Sequence, residues 1–337
     1  MRAVRWITEG VTPRAAMLVA GVLALQLGFI ASYLAAFHAP APHHVEIAVA
    51  APTPAAAEQA AARLNALPGD PVHATAVASE AVARARIDDR TAYGAVLVGT
   101  TGDQLVVASA AGAPVAEALI AVIGKVDQAA GRMLQVSDAK PLPPGDQRGL
   151  AGFYLIVGWV IGGYLVASAL SVSLGARPAT RQRATVRLTA LAAYAVASGL
   201  GGAAITYGYV GGLPHHFLKL WALGTLVVFA VGAFTMALQV VSGIIGIGLA
   251  VLLFVILGNP SAGGAYPAPL LPAFWAAIGP WLPTGAGVSA FRGIIYFGGA
   301  RIGLPLLVLA VYAIVGGAVT LYFAGHRPRL ADEVDAL

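Results

Sequence analysis

Apolar runs long enough to cross a bilayer constrain this chain before anything else does. Ala15 to Phe37 is the first, and a crossing helix needs about 20 predominantly apolar residues. Leu150 to Leu174, Leu188 to Val210, Phe217 to Val241 and Leu304 to Phe323 are of the same kind. A shorter run, Gly243 to Leu257, is nearly fused to the one before it. Composition agrees, since the 337 residues are 58% hydrophobic and only 10% charged, where soluble domains carry about 25% charged residues. The formal net charge of +5 comes mostly from Arg beside these runs. So placed, it sets topology and meets lipid headgroups, and nucleic acid is not the expected partner. The absence of cysteine excludes disulfides, thiol nucleophiles and Cys-based zinc sites.

The expected fold is an α-helical polytopic membrane protein of six transmembrane helices. A small extracytoplasmic α+β domain stands between helices 1 and 2, and a re-entrant helical segment between helices 5 and 6. Residues 1–37 form the cytoplasmic N-terminus and helix 1, residues 38–149 the external domain, and residues 150–337 the five-helix membrane domain. The first apolar run exceeds the 7–15 residues of a signal-peptide core, so an uncleaved anchor is expected.

Residues 38–149 hold most of the acidic side chains. His43 to Ala50 alternates as a half-buried strand does. Ala55 to Leu67 has a helical pattern with Thr53 as N-cap. Val72 to Ser79 reads as a strand and Glu80 to Asp89 as a short charged helix. Tyr93 to Val98 and Gln104 to Ser109 flank a hairpin turn. Ala113 to Met133 reads as a long helix, with a last strand near Val136. Such an order suggests a small α+β layer.

Lys and Arg in short loops fix the orientation. With a cytoplasmic N-terminus, Arg2, Arg5, Arg14, the loop holding Arg177, Arg181, Arg183 and Arg187, and the tail with Arg327 and Arg329 all fall inside. The protein is then multi-pass in the cell membrane with both termini cytoplasmic.

No Asp or Glu occurs between Asp146 and Asp332. Proton-driven pumps relay protons through intramembrane carboxylates or histidines, and here the later runs hold neither. No phosphate-binding G-x-x-x-x-G-K-[ST] loop is present. No catalytic constellation and no metal set stands out, so neither an enzyme nor a cofactor is expected. Polar residues within the runs, Gln26, Ser168, Thr206 and Gln239 among them, are expected to bond across helices. Glycines such as Gly158, Gly162, Gly199 and Gly246 are expected to let helices approach closely.

Leu257 to Gly299 is unlike the rest. Pro272, Pro280 and Pro283 forbid a single straight helix, yet the segment is too apolar for a water-exposed loop. It reads as two short helical pieces at the outer membrane boundary, with Trp275 and Trp281 suited to that interface. Arg292 stands among apolar neighbours, able to reach outer phosphates or to receive an anionic headgroup.

The layout of one span, an external domain and five more spans resembles the ABC-2 type membrane proteins. Within these it is most similar to the YhgE/Pip and DUF3533-like branch of Gram-positive bacteria. The resemblance is carried by Gly258-Asn259-Pro260-Ser261-Ala262-Gly263-Gly264, Leu271-Pro272-Ala273-Phe274-Trp275, Pro280-Trp281-Leu282-Pro283-Thr284-Gly285 and Arg292-Gly293. Asp88 to Ala95 and Leu105 to Gly112 resemble the external domain. The resemblance implies a homodimeric permease, embedded in membrane lipids and powered by a separate ATPase. The chain would export a hydrophobic or amphipathic solute. Asn259, Pro260, Ser261, Trp275, Trp281 and Arg292 are then the candidate cargo or gate residues, and Arg177, Arg181 and Arg183 the candidate cytoplasmic docking residues. The other reading is an envelope scaffold or surface receptor of the phage-infection or secretion type, without transport.

Overall fold

The computed structural model describes residues 12–210 and 216–325. The basic N-terminal segment with Arg2 and Arg5, the loop at 211–215 and the tail with His326, Arg327 and Arg329 lie outside the described residues. Five helices are long and apolar enough to cross a membrane. They are α1 (Pro13–Phe37), α5 (Ala151–Leu174), α6 (Arg181–Val210), α7 (Phe217–Ser242) and α11 (Gly303–Phe323). The run read as the fifth crossing becomes α8 (Ile245–Ser261), a shorter apolar helix. It turns back from α7 at Gly243, whose φ of 62° is left-handed and suits glycine. Residues Leu252–Leu257 of α8 form a wide, π-type turn.

Burial ranks these helices. Of its most apolar stretch α7 buries 67%, whereas α1 buries 6%. Thus α7 is the hub, packed against α5, α6 and α11, while α1 touches the bundle mainly along α8. Some of the expected glycine packing is present. Gly199 meets the Thr225 backbone, Gly246 the Gln239 backbone and Gly316 the backbone of Ala233 and Phe234, all on α7. Gly158 faces open space.

The expected cross-helix bonding holds for Gln239 and Ser168, which pair with each other, and is corrected for Thr206. Ser168, Thr206, Thr225, Thr235 and Thr320 each donate to the carbonyl four residues back on their own helix, the local partner nearest to hand. The cross-helix bonds come from longer side chains. The Trp159 indole donates to Ser198 O at 3.1 Å, Trp221 to Val196 O at 2.9 Å, and Gln239 to the Ser168 hydroxyl at 3.3 Å. Gln26 is exposed on α1.

The sheet layer carries five strands, β1 (Val45–Ala50), β2 (Val72–Ala76), β3 (Gly94–Val98), β4 (Gly102–Val107) and β5 (Met133–Asp138), in the order β2-β1-β3-β4-β5. Only the β3–β4 hairpin is antiparallel. Three helices cover it: α2 (Pro54–Asn65), α3 (Glu80–Asp88) and α4 (Ala113–Ala129). Alternation sorts the two faces. Val45, Ile47 and Val49 pack with Leu64 of α2 and Leu119 of α4. Ala48, Ala50, Ala95 and Val106 pack with Ile87 of α3 on the opposite face. Thr53 caps α2 by accepting from Ala56 N at 3.2 Å. Both faces also receive a side chain from the segment after α8, Leu270 on one and Phe297 on the other.

At the end of α4, Asp127 is buried beside the Arg132–Asp103 ion pair, and its Oδ2 has no hydrogen-bond partner. Burial first, and the Asp103 charge second, raise its pKa to about 6. Ionising it in place therefore lowers stability as pH rises from the ordinary carboxylate range through about 6. Above pH 7, Asp127→Asn should raise the unfolding free energy by on the order of 2–3 kcal/mol. The gain should vanish below about pH 4, where both side chains are neutral; a gain of equal size at all pH values would refute this origin.

The glycine contacts give a second expectation. Gly316→Val should yield little monodisperse protein in detergent, because overpacking a tight contact costs about 1–3 kcal/mol or more. Gly158→Ala should behave as wild type in the same gel-filtration profile.

Candidate functional site

The segment after α8 builds the site. Gly263, with φ 71°, ends α8 in the left-handed region. Helix α9 (Ala273–Ile278) and helix α10 (Pro283–Tyr296) follow, joined by a tight turn at Gly279–Trp281. Each proline stands where its missing N–H is harmless. Pro272 precedes α9, Pro280 lies in the turn, and Pro283 opens α10. A side chain at Gly279 would collide with the Ser261 carbonyl, and one at Gly285 with the Gly279 carbonyl. The three pieces are thereby held in close backbone contact.

Arg292 on α10 closes this arrangement. Its guanidinium donates to Gly263 O at 2.7 Å and Gly264 O at 3.1 Å, just past the end of α8. A second arginine ties the sheet layer to the same helix. Arg90 follows α3 with φ 56°, and that turn aims it away from the sheet. It donates to Ser289 O at 3.1 Å, Ala300 O at 3.2 Å and the Ser289 hydroxyl at 3.2 Å. Its guanidinium lies 5.5 Å from the Phe297 ring centroid, a cation–π distance. Burial first, and the Arg292 charge second, lower the Arg90 pKa to about 10, so it stays protonated at neutral pH.

Between the sheet layer and α10 lies a cavity of about 660 Å³, a size typical of ligand sites. Arg90, Tyr93, Ser261, Ser289, Arg292 and Arg301 supply its polar wall; Ala286, Val288, Leu304 and Pro305 supply apolar surface. Among the described residues, no carboxylate lines it. Among the described residues, no group of three or more His, Cys, Asp or Glu could hold a metal.

The structure divides the residues singled out from sequence. Ser261 and Arg292 share the cavity wall. Asn259 and Pro260 are buried in α8 behind it, and the Asn259 Oδ1 has no partner. Trp275 packs on Ala36 of α1 and Leu271, away from the cavity. Trp281 is 60% exposed. At the far end of the bundle Arg177 donates to Val240 O and Val241 O at the end of α7, while Arg181 and Arg183 are exposed. Arg90 and Arg301 escaped the sequence reading. Arg90 stands just past the short charged helix, at a left-handed turn that the sequence pattern does not signal.

Comparison with protein-family models, with curated proteins and with solved structures finds no match to this chain. The class is defined by the molecule itself: a helical membrane protein carrying a small mixed sheet, with an arginine-lined cavity where the two meet.

The Arg90 contacts predict a local effect. Arg90→Ala should loosen the sheet layer from α10, lowering local stability by roughly 2–3 kcal/mol. Hydrogen exchange should then accelerate across 283–302 while α7 keeps its protection; unchanged exchange there would show that Arg90 does not hold the junction.

Proposed function

We propose that the chain is the membrane subunit of an ABC-2-like exporter that moves an amphipathic solute outward. The observation that carries this is the cavity at the junction of sheet layer and bundle, whose lining combines three arginines with apolar side chains. Such a lining suits a molecule with a polar head and an apolar body. In this reading α8 is the fifth of six crossings. At about 1.5 Å per residue its length approaches the roughly 30 Å hydrocarbon core. Both termini are then cytoplasmic, and the sheet layer, α9, α10 and the cavity lie together on the outer side. The lack of a carboxylate from Asp146 to Asp332 supports an external energy source over proton coupling. A separate ATPase would dock at exposed Arg181 and Arg183, since Arg177 is engaged by the end of α7. A homodimer is expected by resemblance.

One observation favours the scaffold or receptor reading. The connection between α5 and α6 is only a short loop, a small platform for an ATPase.

Affinity purification in mild detergent separates the two. The exporter reading expects a stoichiometric nucleotide-binding subunit with the wild-type chain. That subunit should be lost in the Arg181→Glu, Arg183→Glu double variant and kept in Arg292→Ala. Recovery of envelope or secretion proteins without any nucleotide-binding subunit would overturn the exporter reading.

A further inference from the structure

We propose that the cavity between the sheet layer and α10 binds the phosphate-ester head of an amphipathic molecule, held by Arg90, Arg292 and Arg301. The inference deepens the exporter reading and rests on it only for the claim that the bound molecule is cargo.

The three guanidinium groups line one cavity and come from separate places in the fold: the turn after α3, the middle of α10, and the loop before α11. Among the described residues none of them takes part in an ion pair. Their partners are neutral. Arg90 makes three hydrogen bonds to two carbonyls and a hydroxyl, and Arg292 makes two to carbonyls. Each guanidinium carries five N–H donors, so donors remain on both. Arg301 is exposed at the rim and adds a third set.

Carbonyl oxygens satisfy hydrogen bonds without cancelling a full positive charge. The Asp146 carboxylate, whose charge reaches Arg292, accepts from the amides of Leu150 and Ala151 and from the Tyr296 hydroxyl. Two largely buried guanidinium groups and a third at the rim repel one another, and the lowered pKa of Arg90, due first to burial, is partly the trace of that repulsion. An anion entering the recess relieves it.

The number of cations selects the anion. A monocarboxylate offers two oxygens and one charge. A phosphate monoester offers three free oxygens and nearly two charges at neutral pH, and guanidinium forks fit its edges in bidentate fashion. The volume of about 660 Å³ exceeds what a bare phosphate needs. Val288, Leu304 and Pro305 add apolar surface to the same lining. Head and adjoining apolar chain are accommodated together.

The test uses the full chain, purified in dodecyl maltoside, and isothermal titration with three probes. They are inorganic phosphate, dihexanoyl phosphatidic acid and dihexanoyl phosphatidylcholine. The proposal expects saturable binding of phosphatidic acid, with phosphatidylcholine at least tenfold weaker. Arg301→Gln, which removes no hydrogen bond of the fold, should weaken phosphatidic acid binding about tenfold with an unchanged unfolding midpoint. Arg292→Lys keeps the charge, loses the fork, and should weaken binding as well. Phosphatidic acid tighter than inorganic phosphate identifies a lipid-like headgroup; equal affinity identifies free phosphate as the source and overturns the amphipathic part of the proposal. No saturable phosphate or phosphatidic acid binding, or binding unchanged in Arg301→Gln, overturns the site. Binding that stands while no nucleotide-binding subunit is ever recovered overturns the exporter reading and leaves the site in place.

Discussion

Arginine bonded to backbone carbonyl, with no carboxylate between, is the interaction on which this structure depends. It recurs at the ends of three helices. Arg187 donates to Leu174 O and Gly175 O after α5, Arg177 to Val240 O and Val241 O after α7, and Arg292 to Gly263 O and Gly264 O after α8. A helix C-terminus carries roughly half a negative charge and several carbonyls without intrahelical partners. It therefore serves as a partial counter-ion in a stretch of chain that has no acid. Removing one of these arginines leaves carbonyls unsatisfied. Removing the carbonyl geometry leaves a buried cation, which is worse. Each pair fixes the place where one helix stops relative to the next.

The junction of sheet and bundle follows from the same interaction. Arg90 reaches α10 from the sheet side, and Phe297 and Leu270 return the contact by filling the two faces of the sheet. The segment between α8 and α11 thus belongs to both layers. Its many prolines and glycines answer to that double duty. Proline opens each short helix at a defined residue, and glycine lets the backbones of Ser261, Gly279 and Gly285 stack without side chains between them.

Much of the fold was legible because periodicity and length are local properties. The strands at 45–50, 72–76 and 94–98, the Thr53 cap and the long apolar helices all follow from patterns within a few residues. The break after α8 and the two helices beyond it were legible from Pro272, Pro280 and Pro283. The site was legible only in part. Ser261 and Arg292 lie in the unusual segment and could be singled out. Arg90 and Arg301 could not, because their roles depend on left-handed turns and on an approach of residues some two hundred positions apart. Trp275 and Trp281 do not line the cavity: Trp275 packs on Ala36 of α1, and Trp281, in the turn after α9, is exposed. Thr206 was expected to bond a neighbouring helix, but a partner one turn back on its own helix lay nearer, whereas Ser168 does meet Gln239 across helices.

The wide turn at Leu252–Leu257 has a geometric consequence for everything after it. A π-type turn holds one more residue than an α-turn, and one residue of α-helix corresponds to about 100° of rotation about the axis. The face that α8 presents beyond Leu257 is therefore set by residue count within the turn as well as by side-chain character. Shortening the turn by one residue would keep the helix apolar and continuous. It would also swing Asn259 and Ser261 about a quarter of the way around the axis, and carry Gly263 and Gly264 out of line with Arg292. The cavity wall is, in this sense, indexed by chain length, and helices of identical hydropathy but different register would not build it.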